Sequence, residues 1–296
     1  MILRPRQEVF VARCLEALAE HGNTLGVAPT GAGKTVMLSA VAGQHGGRVL
    51  VLQHRDELVR QNRATYRDVN PGAATSVYAS WEKRWSPGAT FAMVPTLSRK
   101  RHLEGMPAVD LVVVDECHHA PAKTYRRILD QAAELNPEVH VLGVTATPNR
   151  GDKTRLSSVF SNVADQITYG ELIGAGHLVE PRAYVMDVGA TDQLAKVGRT
   201  MKGRGEYDMS QVQKALEPVT DAIIAEWRRL AGERRTIVFC STCEHAETVT
   251  QAYKAAGVRA APVTGDAPSQ AGPRQPNEID PGDLTVPVHG DAPTEP

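Results

Sequence analysis

Ala28-Pro29-Thr30-Gly31-Ala32-Gly33-Lys34-Thr35 puts small residues, a lysine and a hydroxyl in the order that a phosphate-cradling loop requires, G-x-x-x-x-G-K-[ST], with Ala28 in the first glycine position. Backbone N–H groups of Gly31, Ala32 and Gly33 would face phosphate oxygens, with Thr30 beside them, and a helix beginning at Lys34 would add a favourable dipole. Lys34 would neutralise the β- and γ-phosphates, and the Thr35 hydroxyl would hold Mg²⁺. A glycine turn ahead of a helix also arises by chance, so the loop needs a second group.

Asp115-Glu116-Cys117-His118-His119 supplies one, 81 residues after Lys34 and at the end of an apolar strand. Carboxylates at the C-terminal end of a parallel strand lie where α/β sheets bind ligands. Asp115 can hold Mg²⁺ and Glu116 can act as general base on an attacking water. Taken alone, the pair would read as a polar strand exit.

The elements that must position these groups follow from the pattern. Residues 5–21 predict an amphipathic helix, and Thr24–Val27 a strand entering the glycine-rich turn. A helix follows from Lys34 to about Ala42. Val49–Leu52, Phe91–Val94, Leu111–Val114 and Val139–Val144 read as strands, and Asp56–Tyr66 as a helix. This alternation predicts an α/β fold built on a parallel sheet over 1–180. A polar, glycine-broken linker or mobile segment is expected over 181–218. Val219–Leu230 reads as a helix, Thr236–Cys240 as a buried strand, Glu244–Ala256 as a helix and Val258–Val263 as a strand. Together, 219–266 predict the start of a second α/β unit.

Residues 265–296 hold six acidic residues, one arginine and seven prolines, a composition expected to be disordered over 267–296. Without that tail the net charge of −1 becomes +4, which permits nucleic-acid binding without arguing for it. No apolar run is long enough to span a membrane, the N-terminus lacks a signal-peptide core, and four cysteines make no disulfide framework. A cytoplasmic location is the expectation. Cys240-Ser241-Thr242-Cys243 lacks the second pair that a zinc ribbon needs.

The motifs together resemble superfamily 2 helicases of the DEAD/DEAH-box class, closest to bacterial and phage DNA-repair or restriction-type helicases. Asp115-Glu116-Cys117-His118 stands at the four-letter box, and Ala28 is a common substitution in this class. Arg4-Pro5-Arg6-Gln7 resembles the motif whose glutamine reads adenine, and Val51 to Gln61 and Pro95-Thr96-Leu97 resemble strand-binding motifs. Thr145-Ala146-Thr147-Pro148 resembles the motif that couples hydrolysis to movement, and Thr236 to Thr242 the entry of the second motor domain. The resemblance covers about 4–266. It implies a RecA-like first domain with an incomplete second one, ATP and Mg²⁺ as cofactors, and DNA in preference to RNA as partner. It also implies roles by position: Arg4 and Gln7 at the adenine, His118 at the γ-phosphate side, Thr145 and Thr147 in coupling, and Arg55, Thr96 and Arg150 on the nucleic-acid backbone.

The family's late Gln-x-x-Gly-Arg-x-x-Arg segment is not among these 296 residues. Its arginine finger is worth roughly 10³–10⁵ in turnover. The expectation is therefore ATP binding with weak or absent hydrolysis and impaired unwinding, or a partner chain that supplies the missing motif. Two other readings stand beside the motor: a nucleotide-gated binding module without turnover, and a non-motor P-loop kinase or transporter ATPase. The later motifs argue against the last.

Overall fold

Val49-Leu50-Val51-Leu52 and Leu111-Val112-Val113-Val114 carry no polar side chain on either face, so each must be covered on both sides. The computed structural model, which describes residues 2–147, 156–199, 207–232 and 234–263, meets that demand with helices on both faces of a parallel sheet. The chain divides into two units, Met1–Pro181 and Arg182–Pro296.

In the first unit the order is α1 (Pro5–His21), β1 (Asn23–Val27), α2 (Lys34–His45), β2 (Val49–Gln53), α3 (Asp56–Val69), β3 (Thr75–Tyr78) and β4 (Ala89–Met93). It continues through the single turns α4 (Val94–Leu97) and α5 (Lys100–Leu103) to β5 (Leu111–Asp115), α6 (Lys123–Leu135), β6 (His140–Thr145), β7 (Val163–Gln166) and α7 (Tyr169–Gly174). The seven strands are ordered β3-β4-β2-β5-β6-β1-β7, and every ladder is parallel. Alternation along the strands divides the core in two. Val49, Val51, Leu111 and Val113 pack on one face with Phe10, Met37 and Leu38; Leu50, Leu52, Val112 and Val114 pack on the other with Tyr125 and Ile128.

An expected boundary moved. The third strand ends at Met93 rather than Val94, because Pro95 has no N–H for a ladder and sits in the first turn of α4. Strands β3 and β7, at the two sheet edges, lacked the apolar runs of the central strands and were not expected.

Helix α1 is fastened to the edge strand β7 by charge. The buried Asp165 carboxylate accepts from Arg6 and, at 2.9 Å, from Arg13 Nη1. Burial pushes this carboxyl up, but the hydrogen bonds from Arg6 and Arg13 outweigh it and leave it below the ordinary carboxylate range. A lowered folded pKa contributes stability that is present above the unfolded value and lost as pH falls through the folded one. Asp165→Asn is expected to destabilise the first unit by about 2 kcal/mol at neutral pH. Denaturant titrations at neutral and acidic pH check this: the gap between native and variant should close as the pH drops below the carboxylate range.

In the second unit, α8 (Thr191–Ala195) and α9 (Met209–Leu216) punctuate the stretch expected to be a linker, and α10 (Thr220–Ala231) and α11 (Cys243–Ala255) follow. Ile224, Val249 and Tyr253 form a small core with Trp227 against it. The two strands expected at 236–240 and 258–263 do not form. Ile237 is 81% exposed and Phe239 92% exposed, the reverse of a buried strand. A strand is stable only where neighbours take up its backbone groups, and no ladder lies among the described residues of this unit. The tail expected over 267–296 lies outside the described residues, and no described helix is long and apolar enough to cross a membrane.

Candidate phosphate and acid-pair site

All strands point the same way, so the loops that follow them share one edge of the sheet. The phosphate-loop sequence follows β1, and the acid pair closes β5, with only β6 between them. Gly31 (φ 89°) and Gly33 (φ 84°) adopt the left-handed conformation that glycine tolerates without strain. A Cβ on Gly33 would also lie 2.5 Å from Gln7 Nε2, so a larger residue would push that amide aside. Helix α2 begins directly at Lys34.

Lys34, with 14% of its side chain exposed, reaches across to Glu116: Nζ lies 4.0 Å from Oε1. The loop lysine and the box acid therefore meet in the fold, as the spacing argument required. Glu116 has φ 49° and ψ 51°, and among described residues it alone of the non-glycines has positive φ. That geometry costs roughly 1–2 kcal/mol, and such strain gathers at functional sites. It turns the Glu116 amide back to donate to Asp115 Oδ1 at 3.0 Å. Asp115 Oδ2 accepts from Asn62 Nδ2 at 2.8 Å. Burial raises the Asp115 carboxyl above its ordinary value, and the Asn62 hydrogen bond opposes that shift.

The donor set suits a hard cation. Two of roughly four lone-pair sites on Asp115 are used, leaving oxygen capacity for a hard cation such as Mg²⁺. Gln53 follows Leu52, which pairs with Val114, so it sits beside Asp115 across the β2–β5 ladder. It is wholly buried, and neither amide atom has a protein partner. A buried amide without partners is costly, and the water shell of a magnesium ion would satisfy it.

His118 links the box to β6. Its Nδ1 lies 3.3 Å from Glu116 Oε2 and 3.4 Å from Thr145 Oγ1. Thr145 Oγ1 also accepts from the Thr147 amide at 3.2 Å. His118 Nε2 lies 3.0 Å from His119 Nε2, and the His119 ring meets His54 edge-on at 4.7 Å. Burial and the two neighbouring carboxylates push the Cys117 thiol up, which makes it a packing residue.

Gln7 is buried against the loop. Its Oε1 accepts from the Arg4 amide at 2.9 Å, and its Nε2 donates to Ala32 O at 2.9 Å. One N–H and one lone pair of the amide remain for a base edge. Arg4 and Thr30 are exposed and Thr35 is half-buried. Ala32 departs from expectation. Its amide donates to Pro29 O at 3.2 Å, so it closes the loop on itself rather than facing outward.

The expected nucleic-acid residues divide. Arg55, just before α3, is exposed, whereas Thr96 is buried at 8% exposure. The cations that face solvent next to Thr96 are Arg99, Lys100 and Arg101, which the motif reading passed over. Arg150 and Pro148 lie outside the described residues. Sequence reasoning also missed Asn62. Its signal was a buried amide on the Val59–Asn62–Tyr66 face of α3, where an apolar residue is the rule.

A glycine-rich loop before a helix, an acid pair two strands away and a histidine bridge to the next strand define a P-loop nucleotide-binding domain with helicase motif order. Residues 1–150 match the family described as type III restriction enzyme, res subunit, and the chain belongs to that family, within the superfamily 2 helicases. It is 27% identical over 285 residues to the putative ATP-dependent helicase IRC3 of Saccharomyces cerevisiae, covering 90% of this chain and 41% of that protein. It is 32% identical over 197 residues to the putative DNA 3'-5' helicase Rad25 of Haloarcula marismortui, covering 62% of this chain and 30% of that one. The chain thus spans less than half the length of these curated relatives. In fold it is similar to the ATP-dependent type ISP restriction-modification enzyme LlaBIII bound to DNA, with a TM-score of 0.57 at 15% identity over 86% of this chain and 21% of that one.

Proposed function

We propose that the chain is a Mg-ATP-binding motor domain that acts on DNA. The approach of Lys34 Nζ to Glu116 at 4.0 Å carries this reading, because it brings a phosphate-binding cation and a candidate general base to one point. The incoming triphosphate takes Lys34 from Glu116. The freed carboxylate then orients and deprotonates the attacking water; Thr35 and Asp115 would hold a magnesium ion, which would supply charge neutralisation at the phosphate oxygens. His118, Thr145 and Thr147 carry the change at the γ-phosphate to β6, and Gln7 joins the base edge to the loop. Arg55 and Arg150 touch the nucleic-acid backbone, and the exposed Arg99, Lys100 and Arg101 take the place expected of the buried Thr96. DNA is favoured over RNA because the Rad25 relatives are described as putative DNA 3'-5' helicases and LlaBIII as bound to DNA.

Hydrolysis by these 296 residues alone is slow, because they include no Gly-Arg-x-x-Arg segment to stabilise the charge of the transferring phosphoryl group. A nucleotide-gated binding module is the second reading, favoured by that same observation. ATPase assays with and without single-stranded DNA separate the two. Slow, DNA-stimulated and Lys34-dependent turnover is the expected result. No turnover with intact Mg-ATP binding would select the binding module, and Lys34-independent turnover would remove the motor reading.

A further inference from the structure

Trp81 occupies a position that packing does not explain. After β3 the chain doubles back in a tight hairpin: Ala79 N donates to Glu82 O at 2.6 Å, Arg84 N donates to Val77 O at 3.0 Å, and Tyr78 pairs antiparallel with Lys83. Ser80 and Trp81 form the two-residue tip. Such tips ordinarily carry glycine, asparagine, aspartate or serine, whose backbone or side chain suits the turn. Tryptophan offers the turn nothing of that kind, and here it keeps 41% of its surface in solvent.

The base of the hairpin is fastened, so the tip is held in place. Trp85 packs its ring on Tyr78 at 4.6 Å between centroids, and Tyr78 Oη lies 3.0 Å from His102 Nδ1 of α5. Ser86 N donates to Thr90 Oγ1 at 3.1 Å, which ties the returning strand to β4. The two tryptophans therefore differ: Trp85 is an anchor against the core and Trp81 is displayed.

The surroundings are basic. Arg60 of α3 places its guanidinium carbon 4.9 Å from the centroid of the Trp81 ring. Desolvation lowers the pKa of His102, and the charges of Arg101, Lys83 and Arg99 lower it further, which places those three cations around the foot of the hairpin. Strand order extends the picture: β3, β4 and β2 are neighbours, so the Trp81 hairpin, the α4–α5 turns with Arg99–Arg101, and Arg55 follow adjacent strands on one edge. β3 lies three strand spacings from β5, about 14 Å, so the hairpin is clear of the acid pair.

We infer that Trp81 is a base-stacking platform for single-stranded DNA, with Arg60 taking the adjoining phosphate and the Arg99–Arg101 run continuing the track. The inference rests on the nucleic-acid part of the function proposed above. An aromatic face accepts any base, and a cation across the ring adds to that stacking. A tip residue that local turn rules disfavour and that leaves 41% of a large aromatic surface in solvent is the pattern expected of a functional position.

The test uses the full 296-residue chain and a fluorescein-labelled thymidine 20-mer, read by anisotropy over a range of salt. Trp81→Ala is expected to weaken binding by about 5- to 150-fold, with an unchanged salt slope. Trp81→Phe should recover part of the loss. Arg60→Ala should instead reduce the salt slope by about 0.7, the value of one phosphate contact on a single strand. Quenching of intrinsic tryptophan fluorescence by the DNA should persist in Trp85→Phe and vanish in Trp81→Phe. Mg-ATP affinity should be unchanged in Trp81→Ala, because β3 is well removed from the phosphate loop in the sheet order, and thermal unfolding should shift only slightly with loss of the Arg60 contact. If the native chain binds the 20-mer and Trp81→Ala binds it equally well, the platform is refuted while the nucleic-acid reading stands. If the native chain binds no single strand, both fall. A loss confined to a protein partner, with DNA binding intact, also refutes the platform.

Discussion

Lys34→Ala is expected to weaken Mg-ATP binding by about 10- to 100-fold, with the fold intact. The magnitude follows from what the side chain contributes. A hydrogen bond to a charged group is worth roughly 1.5–3 kcal/mol, and each 1.4 kcal/mol is tenfold in affinity. Lys34 is largely buried and makes its ion contact with Glu116 at 4.0 Å, so its ammonium is already held at the mouth of the loop. Removing it leaves Glu116 facing the triphosphate without a counter-charge, which adds repulsion to the lost attraction. Alanine is a good helix former, so the first turn of α2 should survive. Binding read by calorimetry and folding read by circular dichroism separate a lost ligand contact from a lost structure.

Glu116→Gln should have the opposite profile. Turnover is expected to fall by about 10²–10⁴-fold, the usual contribution of a positioned general base, while Mg-ATP affinity holds or rises. The substitution removes a negative charge beside the phosphates and frees Lys34 from its ion contact, and both changes favour the nucleotide. Glutamine keeps the volume of the side chain, and its amide can still meet His118 at the present spacing of 3.3 Å. Single-turnover hydrolysis alongside equilibrium binding checks this pair of effects. A parallel loss of affinity and rate would mean that Glu116 holds magnesium or the fold rather than the attacking water.

The convergence of the candidate site was legible in the sequence. Gly31, Gly33, Lys34 and the Asp115–Glu116 pair stand out by residue type and spacing, and the sheet brings the two motifs together. The central strands β2 and β5 were equally plain, since the first four residues of each are apolar and buried on both faces. The edge strands β3 and β7 carry a weaker pattern and went unread; helix α6, whose apolar face of Tyr125, Ile128 and Ala132 is plainly periodic, was passed over. Asn62 was hidden for a different reason: its role lies in a contact 53 residues away that no local spacing encodes. The apolar run Thr236–Cys240 misled in the opposite sense. Its composition fits a buried strand, but burial needs a neighbour, and Phe239 stands 92% exposed. Thr96 shows the limit of reading a motif by position, because the residue matched lies under the surface while the arginines beside it face solvent.

The most direct measurement is calorimetric titration of the 296-residue chain with magnesium and a non-hydrolysable ATP analogue, alongside Lys34→Ala and Glu116→Gln. Saturable one-to-one binding by the native chain and by Glu116→Gln, at least tenfold weaker in Lys34→Ala, is the expected result. Absence of heat in the native chain, or equal affinity in Lys34→Ala, would contradict the assignment of this edge of the sheet as a nucleotide site.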